Sequence, residues 1–468
     1  MKDLHIGVFE VYGPQVGGTC SWAHPLNDAI DYRDPERWVR MARIMDRTGY
    51  DFLFFADGFG YPMTDGDINA TSVSAAVNFS GLDPATLIPV LARETERLGF
   101  VVTATTGMDH PLPLARRFTT LDHLTAGRIG WNVVTGASQN AVSGLFGHAA
   151  MVPHDTRYAM AGEYVSLATR YWEEAWADDA LVADVDAGVY IDASKLRRTE
   201  FEGEHYRSRG YYGAPPSPQR TPVIFQAGTS PAGKAFAAAH AEGVFVQATT
   251  PAQTARNVAD IRRLAAEAGR DPESLRIMAG LTAVVDETAA GAQQLWAEFS
   301  ALQSDEVVAA LYAGNTGIDL LALDPERSLH QVLDAGGPIG QMGTSNIERF
   351  LGGDGGPAPT VRQILDQLRG RGTRGFRLVG DAESVADGVE ALADETGLDG
   401  FLVEPVFGTR DVAAFGELVL PRLRDRGRLP MPAGPTLRER LTGSPGARRA
   451  RVTVPDKDSA PGAAALPA

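Results

Sequence analysis

Cysteine is almost missing from this sequence: Cys20 is the only one among 468 residues. A disulfide framework within the chain is thereby excluded, as are thiolate metal clusters such as structural zinc or iron–sulfur centres. A lone cysteine reads as a small hydrophobe before it reads as a reactive thiol. Positive charge is also scarce, with 43 Lys and Arg against 59 Asp and Glu, a net −16. That balance argues against a nucleic-acid backbone as the main partner, since counterion release needs clustered cations, although a local basic pocket stays allowed. No stretch reaches the roughly 20 uninterrupted apolar residues of a membrane span. The opening MKDLHIGVFEVYG lacks the apolar run and small-residue cleavage site of a signal peptide, so a soluble cytoplasmic protein is expected. There is no GxxxxGK[ST] and no HExxH, and the Gly-rich 352–358 does not match GxGxxG. A dinucleotide-binding fold has no support here.

What the chain does carry is an alternation. Short β-branched or aromatic runs at 5–11, 51–56, 100–105, 129–134, 222–226, 243–247, 275–285 and 400–403 are separated by helical patterns. In 35–48, Trp38, Met41, Ala42 and Met45 form one apolar stripe, with Pro35 in the first turn and Gly49 as the stop. Helices are also expected over 84–98 and 112–125. Apolar strands alternating with helices indicate a parallel sheet covered by helices. Eight of them favour an α/β (β/α)8 barrel over an open sheet. The expected organisation is one domain over 1–440, with insertions at about 137–221 and 286–398 that wall the active face. The Gly-, Pro-, Ala- and Arg-rich 441–468 reads as a disordered tail.

Several residues could carry chemistry. PVIFQ at 222–226 runs into Ala227-Gly228-Thr229-Ser230-Pro231 and then a helix. Gly228 permits close backbone approach, Thr229 and Ser230 supply hydroxyls, and a helix N-terminus attracts phosphate. Ser-Pro also simply starts helices. Asp57 follows the apolar DFLFFA, placing a carboxylate at the open end of a strand, though Asp-Gly is equally a turn. Thr103, Thr105 and Asn132 alternate with apolar neighbours, as residues facing a barrel mouth should. His154 and Tyr158 share a helical face if helix has begun by PHDTRY; the plainer reading is an exposed His beside a capping Asp155. His24 and His110 follow the first and third strands, where either could meet substrate. Trp22, Phe59, Tyr61 and Met108 suggest an apolar or aromatic wall. No serine–histidine triad is apparent.

ARRFTTLDHLTAGRIGWNVVTG at 115–136, PHDTRY at 153–158 and PVIFQAGTSPAGKAFAAAHAEGVFV at 222–246 together resemble the nitrilotriacetate, dibenzothiophene-sulfone and pristinamycin-type FMN-dependent monooxygenases. These form a branch of the bacterial-luciferase-like superfamily, and the resemblance spans roughly 1–440. It implies a barrel enzyme using reduced FMN, with O2 as co-substrate, in a two-component system. An NAD(P)H-dependent flavin reductase would supply FMNH2. A small organic substrate would be oxidised through a flavin C4a-hydroperoxide, by hydroxylation next to N or S with C–N or C–S cleavage, or by oxygen insertion. Asp57, Thr103, His154, Tyr158 and Ser230 match the family's flavin positions, with Asn132 and Thr229 added from the barrel-mouth reading. His24 and Asp57 are the candidate catalytic residues, and a homo-oligomer, dimer or tetramer, is implied. The alternatives are a deazaflavin-dependent hydride-transferring oxidoreductase of the same superfamily, or a non-catalytic flavin-binding subunit.

Overall fold

The computed structural model describes residues 2–14, 20–64, 67–136, 139–148, 150–228, 230–247, 250–316, 318–334, 350, 358–370, 375–429, 434–443 and 446–449. Its main sheet is built from β1 (His5–Val11), β2 (Phe52–Ala56), β3 (Gly99–Thr105), β4 (Ile129–Val134), β5 (Val223–Ala227), β6 (Gly243–Val246), β7 (Arg276–Val285), β8 (Phe376–Gly380) and β9 (Gly400–Val403). All pairings in it are parallel. β6 hydrogen-bonds both β5 and β7, and β9 joins β7 to β1, so eight strands close into the expected barrel. The ninth, β8, was not expected. It pairs with Leu281–Val285, the overhang of β7 beyond its contact with β9.

Around the barrel lie α1 (Pro35–Thr48), α2 (Pro111–Leu124), α3 (His154–Glu173), α4 (Pro231–His240), α5 (Pro251–Glu267), α6 (Ala289–Ala301) and α7 (Ala382–Thr396). α1 buries the predicted stripe of Trp38, Met41, Ala42 and Met45. It starts at an Asp34 cap and stops at Gly49, whose φ of 92° suits glycine. Between 84 and 98 the helix is shorter than its sequence suggests, ending at Arg93. The N–H groups of Glu96, Arg97 and Leu98 donate instead to the Asp46 carboxylate, which turns the chain into β3.

The barrel interior is aromatic. Phe9 stacks on Phe54 and Phe245 at 5.4 Å each, packed with Val101, Phe225, Met278 and Leu402. One short helix, α8 (Leu437–Thr442), plugs the N-terminal end with Leu437 and Leu441. The folded body thus passes the expected boundary at 440. Beyond it, Ala447 O accepts from Arg438 Nη1 at 2.6 Å, and Arg449 Nη2 donates to His240 O at 2.5 Å. The first insertion carries a hairpin of Leu181–Asp184 with Val189–Ile191 and another of Arg198–Glu202 with Arg207–Tyr211. No helix among the described residues is long and apolar enough to cross a membrane.

Candidate active site

Toward the C-terminal strand ends the inward positions turn polar. Asn132 pairs in register with Phe225 on one side and Thr103 on the other, and Thr103 lies two residues beyond the interior Val101. Alternation therefore turns both polar residues inward, while Trp131 faces the helix layer, where it meets Phe118 and Trp172. Asn132 Nδ2 donates to Thr103 Oγ1 at 2.9 Å, and Thr103 Oγ1 donates to Phe55 O at 2.8 Å. A polar chain thus crosses β4, β3 and β2 and stops two residues before Asp57. Asn132 Oδ1 is buried and has no partner among the described residues. An orphaned acceptor costs about 1–3 kcal/mol, which a ligand donor in the mouth would offset.

Asp57 follows β2, with its Oδ1 accepting from Gly58 N at 2.8 Å. Solvent reaches this residue, yet the protein walling its carboxyl raises the pKa to about 6. The Gly58 N–H opposes that rise and the charge of Asp83 adds to it. The group therefore titrates close to neutrality, an arrangement found at functional sites.

A second cluster forms on the flank where α3 meets α4. Pro153 precedes α3, so His154 is its first residue, and Asp155 bonds the His154 ring at 2.8 Å instead of capping the helix. Tyr158 stands one turn on, its ring 5.1 Å from that of His154. Ser230 caps α4, accepting from Gly233 N at 3.1 Å. Tyr158 Oη lies 2.9 Å from where a Cβ on Gly233 would sit and 3.2 Å from one on Gly228. Ser230 Oγ is 3.1 Å from the first of these and Gln226 Nε2 is 2.7 Å from the second. Each glycine thus leaves a hollow with no room for a Cβ, edged by hydroxyl and amide groups beside a helix N-terminus, and such N-termini favour phosphate.

The structure therefore brings His154, Tyr158 and Ser230 together and pairs Thr103 with Asn132. Thr229 lies outside the described residues. His24 goes elsewhere: its ring packs 4.6 Å from Phe407, Nδ1 accepts from Leu26 N at 3.2 Å, and Nε2 faces Glu298 of α6 at 3.4 Å. His110 caps α2 through Nδ1. Of the expected wall, Phe59 meets Phe146 edge to face at 5.2 Å, whereas the Trp22 indole N–H is used on Ala75 O. Three contributors escaped sequence reasoning. Gly233 and Gln226 shape the hollow, and Arg157 donates to Gly136 O at 2.6 Å and Thr135 O at 3.3 Å, tying α3 to the end of β4. The detectable signal was Arg157 between the two site residues of PHDTRY.

A closed parallel barrel with an incompletely satisfied polar set at its open end, and a glycine-edged helix N-terminus on its flank, suits a cofactor-dependent barrel enzyme. Residues 16–400 match the luciferase-like monooxygenase family, and the chain belongs to it. The dimethyl-sulfide monooxygenase of Hyphomicrobium sulfonivorans is 37% identical over 445 residues, covering 95% of this chain and 91% of the relative. Component A of the nitrilotriacetate monooxygenase of Aminobacter aminovorans is 32% identical over 432 residues, covering 91% and 93%. Among solved structures, riboflavin lyase with modified FMN and riboflavin superposes with a TM-score of 0.89 at 36% identity, covering 96% and 98%. The chain is a flavin-dependent monooxygenase acting on a small organic molecule, with FMN as cofactor and O2 as co-substrate. The resemblance seen in the sequence holds. The residues present also fit FMN: hydroxyls, an imidazole and a helix N-terminus for its phosphate, and an unsatisfied amide oxygen for a ring N–H.

Proposed function

We propose that the enzyme oxygenates a small apolar organosulfur compound, works as a homo-oligomer in the cytoplasm, and receives FMNH2 from a separate NAD(P)H-dependent flavin reductase. The carrying observation is the convergence of Tyr158 and Ser230 on the Gly228–Gly233 hollow, with His154 against the Tyr158 ring. In this reading those three side chains hold the FMN phosphate, and Asp57, Thr103 and Asn132 line the ring seat. Bound reduced FMN supplies electrons and activates O2. Asn132 Oδ1 accepts a ring N–H, and Asp57 holds or releases a proton at the mouth. Phe59 and Phe146, half-exposed and in edge-to-face contact, give an apolar surface that favours a substrate without charge. The dimethyl-sulfide relative supports a sulfur compound. His24 is assigned a positioning part, through Glu298 and Phe407, on the helix that braces β7 and β8.

The test mixes protein and FMNH2 with oxygenated buffer and measures peroxide released per flavin oxidised. Dialkyl sulfides should lower that ratio as oxygenated product appears, while glycine-based aminocarboxylates should not. Equal peroxide with and without every sulfide would overturn the substrate assignment. Tyr158→Phe and Ser230→Ala should each weaken FMNH2 binding by roughly 5- to 10-fold, the worth of about one hydrogen bond; unchanged affinity in both would dismiss the phosphate seat.

A further inference from the structure

At the opposite, N-terminal end of the barrel lies a cavity of about 270 Å3, close to the lower bound of about 300 Å3 for ordinary small-molecule sites. Its walls come from the start of β1, the approaches to β2 and β3, and the plug α8, with Arg97, Arg424 and Arg440 all facing it. None of the three makes an ion pair among the described residues. The Arg97 guanidinium has no hydrogen bond either, and Arg424 gives only a 3.2 Å bond to Thr48 O. Arg440 is 8% exposed. Its Nη1 donates to Pro435 O at 3.1 Å, but its Nη2 is buried without a partner.

Asp46 and Asp51 also line the cavity and act on Arg440 through space, but among the described residues neither forms an ion pair with the three arginines. Asp46 accepts the backbone N–H groups of residues 96, 97 and 98. Asp51 Oδ2 accepts from Ile6 N at 2.8 Å and stands 3.6 Å from His5 Nδ1. A nearly buried guanidinium left with an open donor is costly. That open donor, beside the exposed guanidinium groups of Arg97 and Arg424 on the same cavity, makes a site suited to an anion from outside the chain. We propose that this cavity binds a small multivalent oxyanion, with phosphate as the group recognised, free or carried on a small metabolite. Guanidinium forks match the paired oxygens of phosphate. Bound there, the anion would join α8, the approach to β3 and the C-terminal helical region, stapling the plug into the barrel.

The test is isothermal titration of the full chain with inorganic phosphate at constant ionic strength, with chloride as the control. The flavin seat could also take phosphate, so Ser230→Ala is titrated in parallel. Saturable binding should persist in Ser230→Ala and weaken by about tenfold or more in Arg97→Ala, an exposed position whose loss should not unfold the chain. Arg440→Gln should weaken it further while keeping a native circular dichroism spectrum. Ribose 5-phosphate binding several-fold more tightly than phosphate would assign the site to a phosphorylated metabolite; equal affinity would assign it to free phosphate. Either result upholds the proposal. No saturable heat beyond that of chloride, or binding lost in Ser230→Ala and kept in Arg97→Ala, would overturn it.

Discussion

Asp57 sits where its protonation state changes within the working range of an enzyme. Its pKa of about 6 lies above the ordinary value, so it is mostly carboxyl at about pH 5 and mostly carboxylate at about pH 7. Turnover should rise across that window if the ionised form accepts a proton at the mouth. Asp57→Asn should remove the inflection and leave a flat, lower profile; an unchanged inflection near pH 6 would assign the titration to another group. At this scale the sequence was informative wherever one residue type suffices. Ser230 and Tyr158 were recognisable from short motifs, since a cap and an i, i+4 pair are local features. Gly233 and Gln226 were not, because their part depends on α3 lying against α4, and no local pattern encodes that juxtaposition. The contacts of His24 were hidden for the same reason. Its position after β1 suggested the mouth, and the partners that hold its ring, Glu298 and Phe407, are distant in sequence.

Among elements, α4 offers a test that separates stability from binding. A methyl group at Gly233 would stand 2.9 Å from Tyr158 Oη and 3.1 Å from Ser230 Oγ, so Gly233→Ala should displace both from the hollow. Alanine in place of glycine favours a helix by up to about 1 kcal/mol. Loss of the Ser230 cap costs about 0.5–2 kcal/mol and offsets that gain, so the variant should lose FMNH2 affinity far more than melting temperature. A parallel loss of both would mean the hollow is only packing. The first-insertion hairpin makes a different prediction. Val185 is 92% exposed and Tyr190 68%, with Leu181, Val182 and Val189 also in solvent, a concentration typical of association surfaces. Tyr190→Lys should shift the protein toward monomer in sedimentation, and an unchanged oligomer would place the interface elsewhere. The alternation of elements was readable from period and punctuation, since each barrel strand is an apolar run closed by turn residues. β8 was not. Arg377 interrupts its pattern, and the strand forms only because β7, at ten residues, is long enough to overhang. That unusual length was the available clue.

Closure of the whole molecule involves its C-terminal end. α8 lies mostly within the expected domain and seals the barrel, while residues 446–449, in the Gly- and Arg-rich sequence that reads as tail, grip its flank. Arg438 Nε meets Glu242 Oε1 at 2.6 Å in a buried pair, and the same guanidinium donates to Ala447 O. Arg448 pairs with Asp178. Arg449 lies against His240, whose pKa falls from 6.5 to about 4, chiefly through burial and then through the charges of Arg449 and Arg270. Composition cannot reveal such a grip, because the partners of these arginines lie on strands and helices around 200 residues earlier in the chain. Truncation after residue 449 should change stability by no more than about 0.5 kcal/mol, whereas truncation after 443 should cost about 1–3 kcal/mol. The pH dependence supplies the sign. A histidine with a lowered folded pKa contributes stability that is complete above about 6.5 and is lost as pH falls through about 4. Urea midpoints should therefore drop across that interval in the intact chain. They should drop less steeply after truncation at 443, since without Arg449 the imidazole is easier to protonate in the folded state. Equal slopes in the two chains would show that residues 446–449 leave His240 untouched and that the body ends with α8.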